Sequence, residues 1–141
     1  SGRIKHFISA FGEHVIGKEV EYALKETLQV FPQVRVSEFT VAPQINPEAG
    51  LPYHEWFIEF ENKPKDFSEF SKCIDESLQK QNSYYFDLIE GKVLQPLKIS
   101  SLKKHAFQNY MKSQGKLGGQ NKIPRLTNDR TIANQLTKYL L

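Results

Sequence analysis

The chain has 141 residues, 39% of them hydrophobic and 25% charged, with a net charge of +3 and one cysteine. That length fits one domain with a single buried core, and ten Phe and six Tyr argue against disorder. No apolar run approaches the roughly 20 residues that cross a bilayer; the mild positive charge suits a small anion better than nucleic acid; and lone Cys73 excludes an internal disulfide or a multi-cysteine metal site.

The start, Ser1-Gly2-Arg3-Ile4-Lys5-His6, has no apolar stretch of the secretory kind. It has no initiator Met and already alternates like a strand, so a segment of a longer, cytoplasmic protein is expected. Cys73, among Phe70, Ile74 and Leu78, reads as a buried, inert thiol.

In chain order, Ile4, His6 and Ile8 alternate as a short strand. Residues 18–31 place Val20, Ala23, Leu24, Leu28 and Phe31 on one helical face, and Pro32 stops the helix. Residues 34–42 form a second strand whose parity shifts near Ser37 and Glu38, where a bulge fits. A turn-rich loop, 43–52, leads to the clearest strand, 53–60, and its length lets the two strands pair as an antiparallel hairpin. His54, Trp56, Ile58 and Phe60 share one face of that strand, opposite Glu55, Phe57 and Glu59. Pro64 opens a helix carrying Phe67, Phe70, Ile74 and Leu78, with Asp66 near its positive end. A shorter helical piece spans 82–89, and Val93, Gln95, Leu97 and Ile99 alternate as a fourth strand. Ser101 is a candidate cap for a helix with Leu102, Ala106, Phe107, Tyr110 and Met111, ended by Gly115. A last helix starts near 127–129, with Ile132, Ala133, Leu136 and Leu140 inward.

This order predicts a single α+β domain over residues 1–141: a ferredoxin-like β-α-β-β-α-β sheet, helices packed on it, and an extra C-terminal helix. Such a fold hosts many functions, so chemistry has to be read from sites.

Periodicity vanishes over 115–125. Three glycines, two amides, two lysines and an arginine lie there: Gly115, Gly118, Gly119, Gln120, Asn121, Lys122 and Arg125 among them. Glycines let backbone approach a ligand, Gln120 and Asn121 offer paired donors and acceptors, and Lys122 is a flexible point charge for a phosphate or carboxylate. No G-x-x-x-x-G-K-[ST] loop is present, and a solvated surface loop remains the alternative. In the opening segment, Arg3 and Lys5 suit an anion or protect a strand edge equally well. His54 and Glu55 point to opposite strand faces and make no catalytic pair; His54 reads as a hydrogen-bonded core residue. No two histidines share metal-ligand spacing, and no Ser-His-Asp arrangement is present.

Taken together, two segments resemble a known family. The stretch Gly2-Arg3-Ile4-Lys5-His6-Phe7-Ile8-Ser9-Ala10-Phe11-Gly12-Glu13 resembles the glycine-arginine hinge of the acyl-adenylate-forming superfamily. The stretch Gly118-Gly119-Gln120-Asn121-Lys122-Ile123-Pro124-Arg125-Leu126 resembles its C-terminal catalytic-lysine loop. With His54-Glu55-Trp56-Phe57-Ile58-Glu59-Phe60, Asn82-Ser83-Tyr84-Tyr85 and Asn128-Asp129-Arg130, the chain is similar over nearly its whole length to the Gretchen Hagen family of auxin-responsive acyl-acid amido synthetases, in its bacterial branch.

The resemblance implies the C-terminal lid of a two-domain ATP-dependent ligase, inactive alone. The partner is the N-terminal adenylation domain of the same chain, which holds ATP, Mg2+ and most of the acyl pocket. A carboxylic acid is adenylated and then passed to an amine, commonly an amino acid; neither nucleic acid nor membrane is involved. Lys122 would be the catalytic cation, with Gly118, Gly119, Gln120, Asn121 and Arg125 positioning loop or nucleotide, and Gly2, Arg3 and Lys5 forming the hinge. The wider superfamily carries an aspartate or lysine directly after the hinge glycine-arginine pair, where this chain has Ile4. The alternative, from another class, is a free-standing ferredoxin-like module that binds a small molecule or docks a partner.

Overall fold

The computed structural model describes residues 7–115 and 122–141. Strand β1 (Phe7–Ile8) pairs antiparallel with β2 (Val15–Ile16) across a turn that takes left-handed backbone at Gly12 (φ 90°) and His14 (φ 47°). Helix α1 (Gly17–Val30) follows at once. The Glu19 carboxylate accepts from the Ile16 N–H at 3.1 Å and ties off a donor the helix start leaves free. Val20, Ala23, Leu24 and Thr27 form the buried stripe of this helix.

Strands β3 (Arg35–Gln44) and β4 (Tyr53–Asn62) make the expected antiparallel hairpin, with register shifts on either side of Val36, where the sequence changes parity. Strand β5 (Lys98–Leu102) runs parallel to β4, giving the order β3-β4-β5. The α+β class, the helices on a sheet and the added C-terminal helix are all present. The sheet itself differs from the ferredoxin-like expectation: among the described residues it has three strands. The hydrogen bonds of β1 go to β2, a two-residue strand too short for alternation to reveal, so β5 lies directly against β4.

Helices cover both faces of the sheet. On one side α1, α2 (Phe67–Gln81) and α3 (Ser83–Glu90) enclose Phe39, Trp56, Ile58, Phe60, Phe70, Ile74 and Tyr85. On the other, α4 (Ala106–Ser113) and α5 (Thr131–Leu136) pack over Ala42, Phe57 and Leu102 with Phe107, Ile123 and Leu136. The central strand β4 is therefore buried on both faces, and Glu55 and Glu59, which the sequence placed opposite the apolar face, lie inside. Each is satisfied. Glu55 accepts from Arg130 Nη1 at 2.7 Å and Ser100 Oγ at 2.5 Å. Glu59 accepts from the backbone N–H groups of His105 at 2.9 Å and Phe107 at 3.1 Å, so a strand carboxylate caps α4.

That explains one misplaced boundary. Ser101 and Leu102, expected to open the fourth helix, belong to β5, and α4 starts at Ala106 after His105 in left-handed backbone. The predicted fourth strand likewise begins later, at Lys98. Leu140, expected inward, is exposed, because the chain leaves α5 through a 3-10 turn (Thr137–Tyr139) and pairs its backbone with the β5 edge. Cys73 is half-buried rather than buried.

Asn82 joins several of these pieces. Its Oδ1 caps α3 by accepting from the Tyr85 N–H at 2.9 Å, while its Nδ2 donates to the His14 carbonyl at 3.2 Å and to Glu19 at 3.1 Å. Asn82→Ala should cost about 1–3 kcal/mol, the sum of a lost cap and stranded buried groups. Urea unfolding measures this, and a loss below about 0.5 kcal/mol would mean the contacts are incidental.

Candidate lysine cleft and its anchoring strand

Past the glycine-rich stretch, residues 122–128 run along the free edge of β3. Ile123 is buried beneath α4. The Pro124 carbonyl accepts from Thr40 Oγ1 at 2.6 Å; Val41 donates to the Arg125 carbonyl at 2.9 Å and accepts from the Thr127 N–H at 3.0 Å. Leu126, fully buried, forms a parallel bridge with Val41. This segment acts as one extra rung on the sheet.

The Arg125 guanidinium locks it sideways. Nε donates to Glu21 of α1 at 3.1 Å, Nη1 donates to Glu38 and to the Phe39 carbonyl of β3, and the group stacks over the Phe39 ring at 4.6 Å. Arg125 thus braces the strand, with its charge matched by two carboxylates. Replacing it with leucine keeps much of the packing but removes the hydrogen bonds to the solvent-accessible Glu38 and Glu21 and to the Phe39 carbonyl; a loss of about 0.5–1.5 kcal/mol is expected. Arg125→Lys should recover only part of it, since a point charge cannot copy the planar fork. Full recovery by lysine in thermal or urea unfolding would refute the fork geometry.

Lys122 is exposed at the mouth of an open cleft of about 410 Å³, bounded by Ser37, Glu38, Glu59, Phe107, Gln108 and Met111 together with Ile123 and Arg125. The ion pairs among the described residues leave Lys122 out. Glu38 is occupied by Arg125 and Glu59 by backbone amides, so among the described residues Lys122 has no carboxylate partner at the cleft, and the backbone that follows it is tied to the sheet. Such an arrangement can follow an anion without rearranging its support. The described residues contain no cluster of His, Cys, Asp and Glu able to hold a metal ion. Gly2, Arg3, Lys5, Gly118, Gly119, Gln120 and Asn121, named from the sequence, lie outside the described residues.

His54 lies in the core, with a partner that its neighbours in sequence do not reveal. Its Nε2 meets Glu13 Oε2 at 2.7 Å, with both side chains essentially inaccessible. Burial pushes the Glu13 carboxyl up, but the hydrogen bond and charge of His54, with the backbone amides of Glu13 and Phe11, hold it below the ordinary carboxylate value. The His54 ring also packs against Tyr85 at 5.1 Å, and the Tyr85 hydroxyl donates to Asp75, which takes the Leu97 N–H at 3.1 Å as well. This buried network fastens the β1–β2 turn to the sheet and sits apart from the lysine cleft. Neither Glu13 nor Glu21 carried a sequence signal, since each finds its partner across 41 or more residues.

Residues 18–131 match the family model of the GH3 family C-terminal domain. Two solved structures share the fold over 99% of this chain: GH3.15 acyl acid amido synthetase, with a TM-score of 0.80 at 19% identity, and AtGH3.15 acyl acid amido synthetase in complex with 2,4-DB, with 0.74 at 17%. The chain spans 26% of the length of each. No curated protein sequence matches it significantly. A family match that runs from α1 into α5, on a fold shared along nearly the full chain, places this protein in the GH3 family as its C-terminal domain.

Proposed function

We propose that this domain is the mobile lid of an ATP-dependent acyl-acid amido synthetase, closing in the cytoplasm over an N-terminal adenylation domain. The observation that carries the proposal is Lys122, a cation with no ion-pair partner among the described residues, at a cleft mouth on a strand clamped to the sheet. Family membership and the names of the solved relatives support it. In the first half-reaction the substrate carboxylate attacks the α-phosphate of ATP, forming an acyl adenylate and releasing pyrophosphate. Two anions approach each other, and Lys122 stabilises the charge they share in the transition state. In the second, an amine, commonly that of an amino acid, takes the acyl group and AMP leaves. Rotation near residues 2–5 would exchange the faces presented to the two steps.

Magnesium does not fit the described residues, since both cleft carboxylates are engaged, so it is assigned to the N-terminal domain with the nucleotide. The test is ATP–pyrophosphate exchange by the enzyme carrying this domain, over a panel of carboxylic acids. Acid-dependent exchange supports an adenylating ligase. Absence of exchange with every acid, together with metabolite binding by the 141-residue chain alone, would instead identify a free-standing binding module.

A further inference from the structure

The strand that follows Lys122 is tied to the N-terminal hairpin as well as to the sheet. The Ser9 N–H, one residue past β1, donates to Asn128 Oδ1 at 2.9 Å, across 119 positions of sequence. On the other side of the hairpin, α1 begins at Gly17 directly after β2, and a Cβ placed there would lie 3.9 Å from the Arg125 Cβ. One turn on, Glu21 holds the Arg125 guanidinium. The hairpin and the lysine-bearing strand are thus joined at Asn128 and again at Arg125, while Glu13 with His54 fastens the same hairpin to β4.

Resting on the proposed function, we infer that Asn128 is a positioning residue for the adenylation step, holding the Lys122 strand in register with the N-terminal hairpin so that the two move as one body. Asn128 does not touch the reacting groups on this reading. Its side chain accepts from a backbone amide, a role that aspartate can fill and alanine cannot. The side chain is exposed and makes none of the core contacts, so its loss leaves the fold intact.

Two measurements on the enzyme carrying this domain test this together. Amide hydrogen exchange compares wild type, Asn128→Ala and Asn128→Asp over residues 7–16 and 122–128. Acid-dependent ATP–pyrophosphate exchange is followed for the same variants in both the native and the Lys122→Ala backgrounds. The expected result is faster amide exchange in both segments for Asn128→Ala, and a roughly five- to tenfold fall in kcat for pyrophosphate exchange, the size of one lost hydrogen bond. KM for ATP should stay near the native value, Asn128→Asp should restore both readouts, and the Lys122→Ala background should abolish the effect on kcat. An unchanged amide pattern, or an Asn128→Ala loss that multiplies undiminished on top of Lys122→Ala, would overturn the inference. If Lys122→Ala alone exchanges at the native rate, the lysine assignment fails separately, and coupled loosening of both segments then decides whether the tie exists.

Discussion

Glu13→Ala is expected to destabilise this domain by about 2–4 kcal/mol, the cost of leaving a buried imidazole without its carboxylate partner. The carboxylate and the His54 ring are both shielded from water, and Glu13 Oε1 also accepts the Phe11 N–H at 2.8 Å. In the variant, His54 would keep no polar partner, because its Nδ1 already lacks one among the described residues. Trp56, the single tryptophan, is fully buried and stacked on Phe39, so urea unfolding can be followed by its fluorescence. Glu13→Gln keeps the shape and one hydrogen bond and should lose less. A Glu13→Ala midpoint within about 0.5 kcal/mol of wild type would show that water replaces the carboxylate at little cost.

The same network contributes to the pH dependence of stability at both ends. The Glu13 carboxyl is held below its ordinary value of 4.5, so its contribution is present above that pH and is lost as the pH falls through the lower folded value. Tyr85 works in the opposite direction. Burial first, then the charge and hydrogen bond of Asp75, raise its hydroxyl well above 10.0. The neutral phenol therefore supports the fold fully below pH 10 and loses that contribution as the unfolded chain ionises at higher pH. Glu13→Gln should chiefly reduce the acid limb and slightly reduce the alkaline one, since the Glu13 charge is a lesser cause of the Tyr85 shift, whereas Tyr85→Phe should reduce the alkaline limb.

Long periodic elements were legible in the sequence, and so was the parity change that marks the bulge in β3. Short ones were not. Two-residue β2 lies below the reach of alternation, and its presence redirects β1 away from the sheet. The start of α4 was misplaced because the group that caps it, Glu59, comes from a strand 46 residues earlier. Alternation assigned Glu55 and Glu59 to the face opposite the apolar one and could not show that α4 and α5 would cover it. At the site, residue type singled out Lys122 and Arg125, but not the division of labour between them. Arg125 is spent on Glu21 and Glu38, partners brought near only by the crossing of α1 and β3 beside residue 125. Asn128 appeared only as part of a short family-like motif; its amide contact with Ser9 depends on the fold.

Lys122→Ala should lower acid-dependent ATP–pyrophosphate exchange by about 10²–10³-fold, the range for removing one preorganised group from a developing charge. The argument is about when the interaction forms. An exposed lysine with no carboxylate partner among the described residues contributes little to stability, so unfolding should shift by less than about 0.5 kcal/mol. The cation gains most when carboxylate and phosphate share charge, so kcat should carry the loss while KM for ATP moves little. Lys122→Arg should recover activity only partly, because a planar fork on the same backbone cannot track the charge as a compact ammonium does. The amine-dependent half-reaction supplies the internal control. Given preformed acyl adenylate, the variant should transfer the acyl group at nearly the native rate in a single turnover. An equal fall in both half-reactions would mean that Lys122 positions the whole lid. A native rate in exchange would move the catalytic cation elsewhere while leaving the family assignment intact.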